Sequence, residues 1–129
     1  MIAVDSSALV AVVLGEPDAE RFLNALVTGP ARLSYVSLVE AGMVVEARQG
    51  SDAARDLTIL VDGTIEMLLP VDADHASAAI NGWRKFGKGN HPAGLNFGDC
   101  FAYAVARLAG VPLLFKGDDF TKTDVVSVL

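Results

Sequence analysis

Short apolar runs rich in β-branched and aliphatic residues alternate with helical patterns along the whole chain. Strands that alternate with helices in this way predict a parallel sheet with helices on its faces. We therefore expect an α/β fold, a three-layer domain whose central, mostly parallel sheet of four to five strands is flanked by helices. The strand-like runs are MIAV at 1–4, ARLSYV at 31–36, TIEMLLP at 64–70, VPLLF at 111–115 and, as a candidate fifth, VVSVL at 125–129.

Six helices are predicted between these runs, most of them marked by capping residues or glycine. Ser37 and Glu40 have the spacing of a capping box, which predicts that the third helix opens there. Residues 87–96, GKGNHPAGLN, have the composition of a loop. The predicted helices run from Asp5 to near Gly15, from Pro17 to Gly29, from Ser37 to Gly50, from Ser51 to Gly63, from Asp72 to Phe86 and from Phe97 to Leu108.

Composition limits the class of protein. With 129 residues the chain has the length of one domain, and we expect residues 1–129 to form it. Hydrophobic residues make up 52%, yet no apolar run reaches the ~18–20 residues of a membrane span, so the surplus predicts a partner or self-association. Without a basic leader before Asp5, we expect a cytoplasmic protein. The single cysteine, Cys100, permits no internal disulfide and falls where a helix would bury it.

Acidic residues fall repeatedly at one topological position. Asp5 follows the first predicted strand, Glu40 and Asp99 lie in the first turns of predicted helices, and Asp118 with Asp119 follow a late strand. In parallel sheets these positions share one edge, where ligands bind. Each acid also has a purely structural interpretation as a helix cap or turn residue. The pattern predicts that acids distant in sequence meet at this edge.

The sixth predicted helix separates Asp99 from its apolar residues. Asp99 lies about 160° around the helix from Phe101 at about 100° per residue. We therefore expect Asp99 to face a cleft, away from the core. The apolar face that this spacing predicts consists of Phe97, Phe101, Ala104, Val105 and Leu108.

Converging carboxylates would need a cation. Two unit charges about 4 Å apart repel by about 4 kcal/mol at an effective dielectric of 20, whereas a helix N-terminus returns only ~0.3–1 kcal/mol. An all-oxygen site suits Mg²⁺ or Mn²⁺, which commonly activate water and bind phosphodiesters. The net charge of −6 argues against binding nucleic acid by bulk electrostatics, but it does not exclude an acidic site whose charge is cancelled by cations.

Four segments carry a resemblance to a known family: VDSSALV at 4–10, SLVEAGMVVEAR at 37–48, NFGDCFAYAVAR at 96–107 and LLFKGDDF at 113–120. In order and spacing, the chain resembles the PIN-domain ribonucleases, specifically VapC toxins of toxin–antitoxin pairs. The resemblance implies a metal-dependent endoribonuclease in which one or two Mg²⁺ or Mn²⁺ ions bind the bridging phosphate and generate a hydroxide. It also implies a homodimer, inhibition by a cognate VapB-type antitoxin whose tail occupies the toxin groove, and a higher assembly with that antitoxin.

The resemblance also implies roles for particular residues. Asp5, Glu40 and Asp99 would be the central metal-binding and catalytic acids. The fourth would be Asp118 or Asp119, with Asp118 preferred, because the family's Thr-x-Asp pattern is absent from FKGDDF at 115–120. As supporting residues, Ser7 would orient Asp5 or cap the first helix, and Asn96 would position Asp99, touch phosphate or cap the sixth helix.

The densest basic cluster supplies candidate RNA contacts. Arg84, Lys85 and Lys88, with His91 as a further candidate, lie around the loop after the fifth predicted helix. Lysine and arginine there would contact the RNA backbone, or they would simply be solvated. Trp83 is expected in the core, with stacking on a base as the alternative.

Two other classes of function compete with the ribonuclease. An aspartate after the first strand can be the nucleophile of an aspartyl phosphatase, although position 7 then normally holds a second aspartate and here holds Ser7. The other alternative is a non-catalytic α/β module that only binds a partner, with the carboxylates serving as caps.

Overall fold

A computed structural model describes residues 1–129 and shows four strands and six helices. The strands form one parallel sheet in the order β3-β2-β1-β4. The strands are β1 (Ile2–Val4), β2 (Ala31–Ser34), β3 (Met67–Leu69) and β4 (Leu113–Leu114). The helices are α1 (Ser6–Val13), α2 (Ala19–Thr28), α3 (Tyr35–Gln49), α4 (Ser51–Thr64), α5 (Ala73–Phe86) and α6 (Phe97–Ala109).

Apolar side chains fill both faces of the sheet, which confirms the three-layer α/β architecture. Val4 and Leu114 point into a core shared with α1 to α4, whereas Ala3 and Leu113 point into a second core shared with α5 and α6. This alternation is the period-2 geometry of buried parallel strands. Cys100 is buried in the second core, as predicted. None of the helices combines the length and apolar composition that crossing a membrane requires.

The register of the sheet brings the carboxyl ends of β1, β2 and β4 together. Ala3 pairs with Leu113 on one side and with Arg32 on the other. The chain turns into α1 at Asp5 and into α3 at Ser34, each of which caps the helix that follows. One edge of the sheet therefore carries two helix N-termini and the loop after β4.

The start of α3 differs from the prediction. Ser34 caps this helix by accepting the Val36 N–H at 3.1 Å, so Tyr35 and Val36 belong to the helix and not to a longer strand. Ser37 lies fully buried inside α3, and its predicted capping box with Glu40 is absent. Glu40 consequently lies in the second turn of α3, where its side chain is free to contact another helix.

The last predicted strand is absent. Residues 125–129 contribute only an isolated bridge between Leu113 and Ser127, so the sheet has four strands, the lower end of the predicted range. Strand β4 is limited to two residues. The terminal segment instead covers the apolar cores with Val125 and Val128.

The buried face of α6 also differs from the prediction. Phe97 is 78% exposed and Leu108 is 48% exposed, whereas Asp99 is only 6% exposed. Small side chains form most of the buried surface because α6 packs closely against the sheet and against α5. The expectation that Asp99 lies away from the buried face is wrong. The buried residues of α6 are Gly98, Asp99, Cys100, Ala102, Tyr103, Ala104, Val105 and Ala106.

A methyl group at Gly82 tests the closeness of α5 and α6. A Cβ there would lie 2.6 Å from Cδ1 and 3.0 Å from Cε1 of the Tyr103 ring. We expect Gly82→Ala to lower the free energy of unfolding by about 1–3 kcal/mol through overpacking. The matched control is Gly63→Ala on α4, where the new Cβ meets nothing within 4 Å. This substitution should raise the free energy of unfolding by as much as about 1 kcal/mol, because alanine favours the helix. Urea unfolding measures the free energy of unfolding of both variants. Changes of the same sign in the two variants would contradict the prediction.

Candidate metal centre

Asp5 lies directly after β1 and caps α1. Its Oδ2 accepts the Ser7 N–H at 3.0 Å and the Ser7 hydroxyl at 2.5 Å, so the contact predicted for Ser7 is present. The Ser7 hydroxyl in turn accepts the backbone N–H of Lys116 at 2.9 Å, which ties the end of β1 to the segment after β4. These bonds fix the orientation of the Asp5 carboxylate.

The second oxygen of Asp5 is unusual for a buried group. Oδ1 is inaccessible to solvent and has no hydrogen-bond partner in the protein. Burial raises the pKa of Asp5 above its ordinary 3.8, and the charge of Glu40 adds to this effect. Because an unpaired buried polar atom costs about 1–3 kcal/mol, the arrangement indicates a site that a cation or proton completes.

Glu40 approaches from the second turn of α3. Its Oε1 accepts the hydroxyl of Ser6 at 2.6 Å, across 34 residues of sequence. Neighbouring hydroxyls at the start of α1 thus hold two different acids, Ser6 binding Glu40 and Ser7 binding Asp5. The Ser6 contact was not anticipated from the sequence, because it joins two helices.

Asp99 lies in the first turn of α6 within a capping box. The Asp99 N–H donates to Asn96 Oδ1 at 2.9 Å, and the Asn96 N–H donates to Asp99 Oδ2 at 3.0 Å. The structure therefore shows Asn96 both capping α6 and positioning Asp99. Burial, which is the largest cause, together with the charges of Asp5, Asp119 and Glu40, raises the pKa of Asp99 from 3.8 to about 7, although the hydrogen bond from the Asn96 N–H lowers it.

The two candidates for the fourth acid lie in the exposed loop after β4. Gly117 has φ +97°, a conformation that favours glycine, and it turns the chain there. The carbonyl of Asp118 accepts the N–H and hydroxyl of Thr121, the pattern of a turn residue. The charge of Asp119 is among those that raise the pKa of Asp99. Asp118 and Asp119 both stay candidates for the fourth acid, and this contribution to the pKa of Asp99 is the observation in favour of Asp119.

Lys116 anchors this loop from its other side. Its ammonium group forms an ion pair with Asp18 at 3.0 Å and another with Glu16, both from the connection between α1 and α2. The hydrogen bonds to Glu16 and Asp18 raise the pKa of Lys116, and the Lys116 contact lowers that of Asp18. The side chain of Lys116 is therefore occupied away from the acids and does not neutralise them.

We call the four acids at this edge of the sheet the acidic edge: Asp5, Glu40, Asp99 and Asp119. They form an incomplete set of ligands. No three acidic side chains stand close enough to surround one ion. However, the hydrogen bonds of Asp5, Glu40 and Asp99 each engage a single oxygen, Oδ2, Oε1 and Oδ2 respectively. The unpartnered Asp5 Oδ1 and the all-oxygen donor set fit a hard divalent cation, which would have to draw the side chains together.

Of the predicted RNA-contact residues, Arg84, Lys85 and Lys88 are exposed and His91 is half-buried. Arg84 and Lys85 lie in the last turn of α5, and Arg84 Nη1 donates to Asn81 Oδ1 at 3.2 Å. Lys88 follows in the loop and lines the same groove as Asn96, whose amide caps the helix that carries Asp99. His91 instead stabilises its own loop, since its Nδ1 accepts the Ala93 N–H at 3.0 Å.

An apolar groove of about 630 Å³ runs between α5 and the start of α6. Trp83, predicted to be in the core, is 50% exposed on its wall, opposite the exposed Phe97. Asn96 at its edge connects the groove to Asp99 through the capping box. The apolar groove is lined by Val71, Ala76, Ala79, Ile80, Trp83, Lys88, Leu95, Asn96, Phe97, Cys100 and Phe101.

Sequence reasoning missed Gly98 at this site. A Cβ at Gly98 would collide with the carboxylate of Glu40, lying 2.8 Å from Cδ and 2.9 Å from Oε1. A glycine within a helix is a recognisable signal, because it weakens the helix unless something approaches its backbone closely. The sequence does not show that the approaching group is an acid.

Comparison with known proteins defines the class. The PIN-domain profile matches residues 2–126. Ribonuclease VapC of Mycolicibacterium smegmatis is 46% identical over 128 residues, which cover 98% of this chain and 99% of that protein. Ribonuclease VapC30 of Mycobacterium tuberculosis is 47% identical over 128 residues, covering 98% of each. The chain belongs to the PIN-domain family and, within it, to the VapC ribonucleases.

Solved structures confirm the fold. VapC20 of Mycobacterium tuberculosis, described as a sarcin-ricin loop cleaving toxin, superposes with a TM-score of 0.79 at 23% identity and covers 99% of this chain and 98% of its own. VapBC2 of Rickettsia felis, bound to a DNA fragment from its promoter, gives 0.75 at 13% identity, with 98% and 96% covered. At these identities the similarity concerns the architecture alone.

The raised pKa of Asp99 predicts a pH-dependent stability for the metal-free protein. Between pH 3.8 and about 7 the folded protein retains a proton on Asp99 that the unfolded chain has released. Stability should therefore fall as the pH rises through this window. Asp99→Asn removes the effect, so its melting temperature should rise relative to that of the native protein as the pH goes from 5 to 8. Asp56→Asn, at an exposed position on α4, is the control. If the melting temperatures of the native and Asp99→Asn proteins changed with pH in the same way, the prediction would be contradicted.

Proposed function

We propose that this protein is an endoribonuclease toxin of a toxin–antitoxin pair, which hydrolyses RNA phosphodiester bonds with Mg²⁺ or Mn²⁺. The observation that carries the proposal is the acidic edge, where buried carboxylates from separate elements repel one another and Asp5 Oδ1 has no partner. Relatives that are 46–47% identical over nearly the whole chain are named ribonucleases, which supports RNA as the substrate.

In this proposal Asp5, Glu40, Asp99 and Asp119 hold the cation, with Asp118 as the alternative fourth acid. A divalent ion bound there supplies activation of water and neutralises charge on the phosphate. The protein's own contribution is to fix the carboxylates: Ser7 orients Asp5, and Asn96 orients Asp99. The exposed Asn96 side chain also stands where it could touch a phosphate. Ligands held before binding lose little freedom when the ion arrives.

The RNA backbone would approach along the basic residues Arg84, Lys85 and Lys88. The protein carries a net charge of −6, so local cations rather than overall charge must guide a polyanion. Lys88 and Asn96 both line the apolar groove, and Asn96 is hydrogen-bonded to Asp99. A phosphate held there would lie beside the acidic edge.

We infer that the partners are a VapB-type antitoxin, which inhibits the toxin, and a second copy of this chain in a homodimer, with a higher assembly when antitoxin is bound. A solved neighbour with a TM-score of 0.73 is described as a toxin–antitoxin complex from Klebsiella pneumoniae. Tyr35, Val39 and Met43 form an exposed apolar stripe on α3 that requires cover. The acidic edge favours an antitoxin that inserts a lysine or arginine. These functions place the protein in the cytoplasm.

The aspartyl phosphatase alternative is not favoured by the contacts of Ser7. A phosphatase of that class needs an acid–base group at this position, whereas the Ser7 hydroxyl is committed to Asp5 and to the Lys116 N–H. The non-catalytic binding module has no specific observation in its favour, and the experiment below distinguishes it.

RNA cleavage tests the proposal directly. We expect antitoxin-free protein to cut RNA in Mg²⁺ or Mn²⁺ and to lose activity in EDTA. Asp5→Asn should lower the rate by at least about 100-fold, the scale of removing one charge-stabilising group. The control is Asp56→Asn, which changes an exposed residue on α4 outside the acidic edge, and this variant should cleave RNA normally. Cleavage that survives both EDTA and Asp5→Asn would contradict the assignment. Unimpaired partner binding with no metal uptake would indicate the binding module.

The fourth acid can be identified by paired substitutions in the loop after β4. Because the charge of Asp119 acts on Asp99, we expect Asp119→Asn to slow cleavage more than Asp118→Asn, by about tenfold or about 1.4 kcal/mol. Both residues are exposed, so neither change should alter the melting temperature. Single-turnover rates at saturating Mn²⁺ measure the difference. A larger loss in Asp118→Asn would reverse the assignment.

A further inference from the structure

The position of Glu40 depends on two residues outside the set of acids. Its carboxylate is reached from one side by the hydroxyl of Ser6, at 2.6 Å from Oε1. On another side it lies against Gly98, immediately before Asp99 in α6, where an added Cβ would come closest to Oε2. Three helices, α1, α3 and α6, therefore meet at this carboxylate.

The glycine at position 98 is required by space and not by backbone conformation. Gly98 is not among the glycines with positive φ, and it lies in the first turn of α6. Any residue could adopt this backbone, and alanine would form the helix better. A methyl group at position 98 would instead force the Glu40 carboxylate to move, because its Cδ would stand 2.8 Å from the new Cβ. The bare backbone of Gly98 thus lets Glu40 reach the beginning of α6.

Ser6 has a comparable effect through a hydrogen bond. It is only 8% exposed, and its hydroxyl donates to a carboxylate oxygen at a distance typical of a strong, charge-assisted bond. The bond determines which oxygen of Glu40 is occupied and leaves Oε2 toward Gly98. Since Glu40 is longer and more flexible than an aspartate, it needs both constraints to take one position.

We propose that Ser6 and Gly98 are positioning residues for the metal centre, which place the Glu40 carboxylate next to Asp99. Ser6 fixes Oε1, and the missing side chain at position 98 provides the space in which the carboxylate lies. The inference rests on the proposed function, because it assumes that Glu40 holds the cation. It adds two residues that touch neither RNA nor cation and act only through Glu40.

The test is the affinity of the protein for Mn²⁺ alone, measured without RNA by calorimetry. We expect Gly98→Ala and Ser6→Ala each to weaken Mn²⁺ binding by at least about tenfold, the usual effect of changing a residue that orients a ligand. Gly63→Ala, the open helical glycine, is the matched control and should bind normally. Ser6→Thr keeps the hydroxyl and should recover most of the affinity lost in Ser6→Ala.

A second comparison separates this inference from the proposed function. Gly98→Ala combined with Glu40→Asp shortens the acid away from the new methyl group, so the double variant should bind Mn²⁺ better than Gly98→Ala does. If Glu40→Gln loses affinity while Gly98→Ala and Ser6→Ala both keep it, the positioning roles are wrong and the metal site stands. If Glu40→Gln itself binds Mn²⁺ normally, Glu40 is not a ligand and the positioning roles fail, whereas the ribonuclease proposal is decided by the cleavage test of Asp5→Asn. Should Gly98→Ala not fold, Ser6→Ala against Ser6→Thr decides alone.

Discussion

The structure depends on keeping mutually repelling carboxylates at one edge of a parallel sheet. Asp5 is 3% exposed and Asp99 is 6% exposed, so neither is well solvated. Burial raises the pKa of both groups, and the charges of neighbouring acids add to the effect, that of Glu40 on Asp5 and those of Asp5, Asp119 and Glu40 on Asp99. Burial disfavours the charged forms of these acids, which supports the proposal that this edge is a binding site.

The rest of the fold makes this arrangement tolerable by anchoring each acid separately. Asp5 is held by Ser7, Asp99 by Asn96 and Glu40 by Ser6. Two of these anchors lie within three residues of their acid and belong to the first turn of a helix. The third joins α1 to α3 and exists only in the folded protein. Each anchor engages one oxygen, so the same contacts that stabilise the acid also determine which oxygen remains for a ligand.

Local patterns in the sequence predicted the features that depend on local interactions. The alternation of strands and helices indicated the three-layer sheet, and the family segments located the acids at its carboxyl edge. The start of α3 was mispredicted because Ser34 and Ser37 are both acceptable caps, and only the end of β2 decides between them. The capping box assigned to Glu40 failed for the same reason.

Features that depend on tertiary packing could not be predicted. The aromatic residues of α6 suggested its buried face, but close packing against α5 favours alanine and glycine there, and Phe97 is left exposed. Trp83 is exposed beside it, along the apolar groove. The contact between Ser6 and Glu40 spans 34 residues, and no periodicity reveals it.

An acidic protein is compatible with an RNA substrate if proton, cation and RNA binding are linked. Since the pKa of Asp99 is raised to about 7, a cation bound at the proposed site would displace a proton as well as water near neutral pH. In the proposed site, a bound divalent cation would offset part of the local negative charge, although the net charge of the protein stays negative. RNA would therefore meet a site whose affinity is created by the cation and supplemented by Arg84, Lys85 and Lys88. The overall negative charge of the protein argues only against binding RNA by bulk electrostatic attraction, and the proposed site does not depend on such attraction.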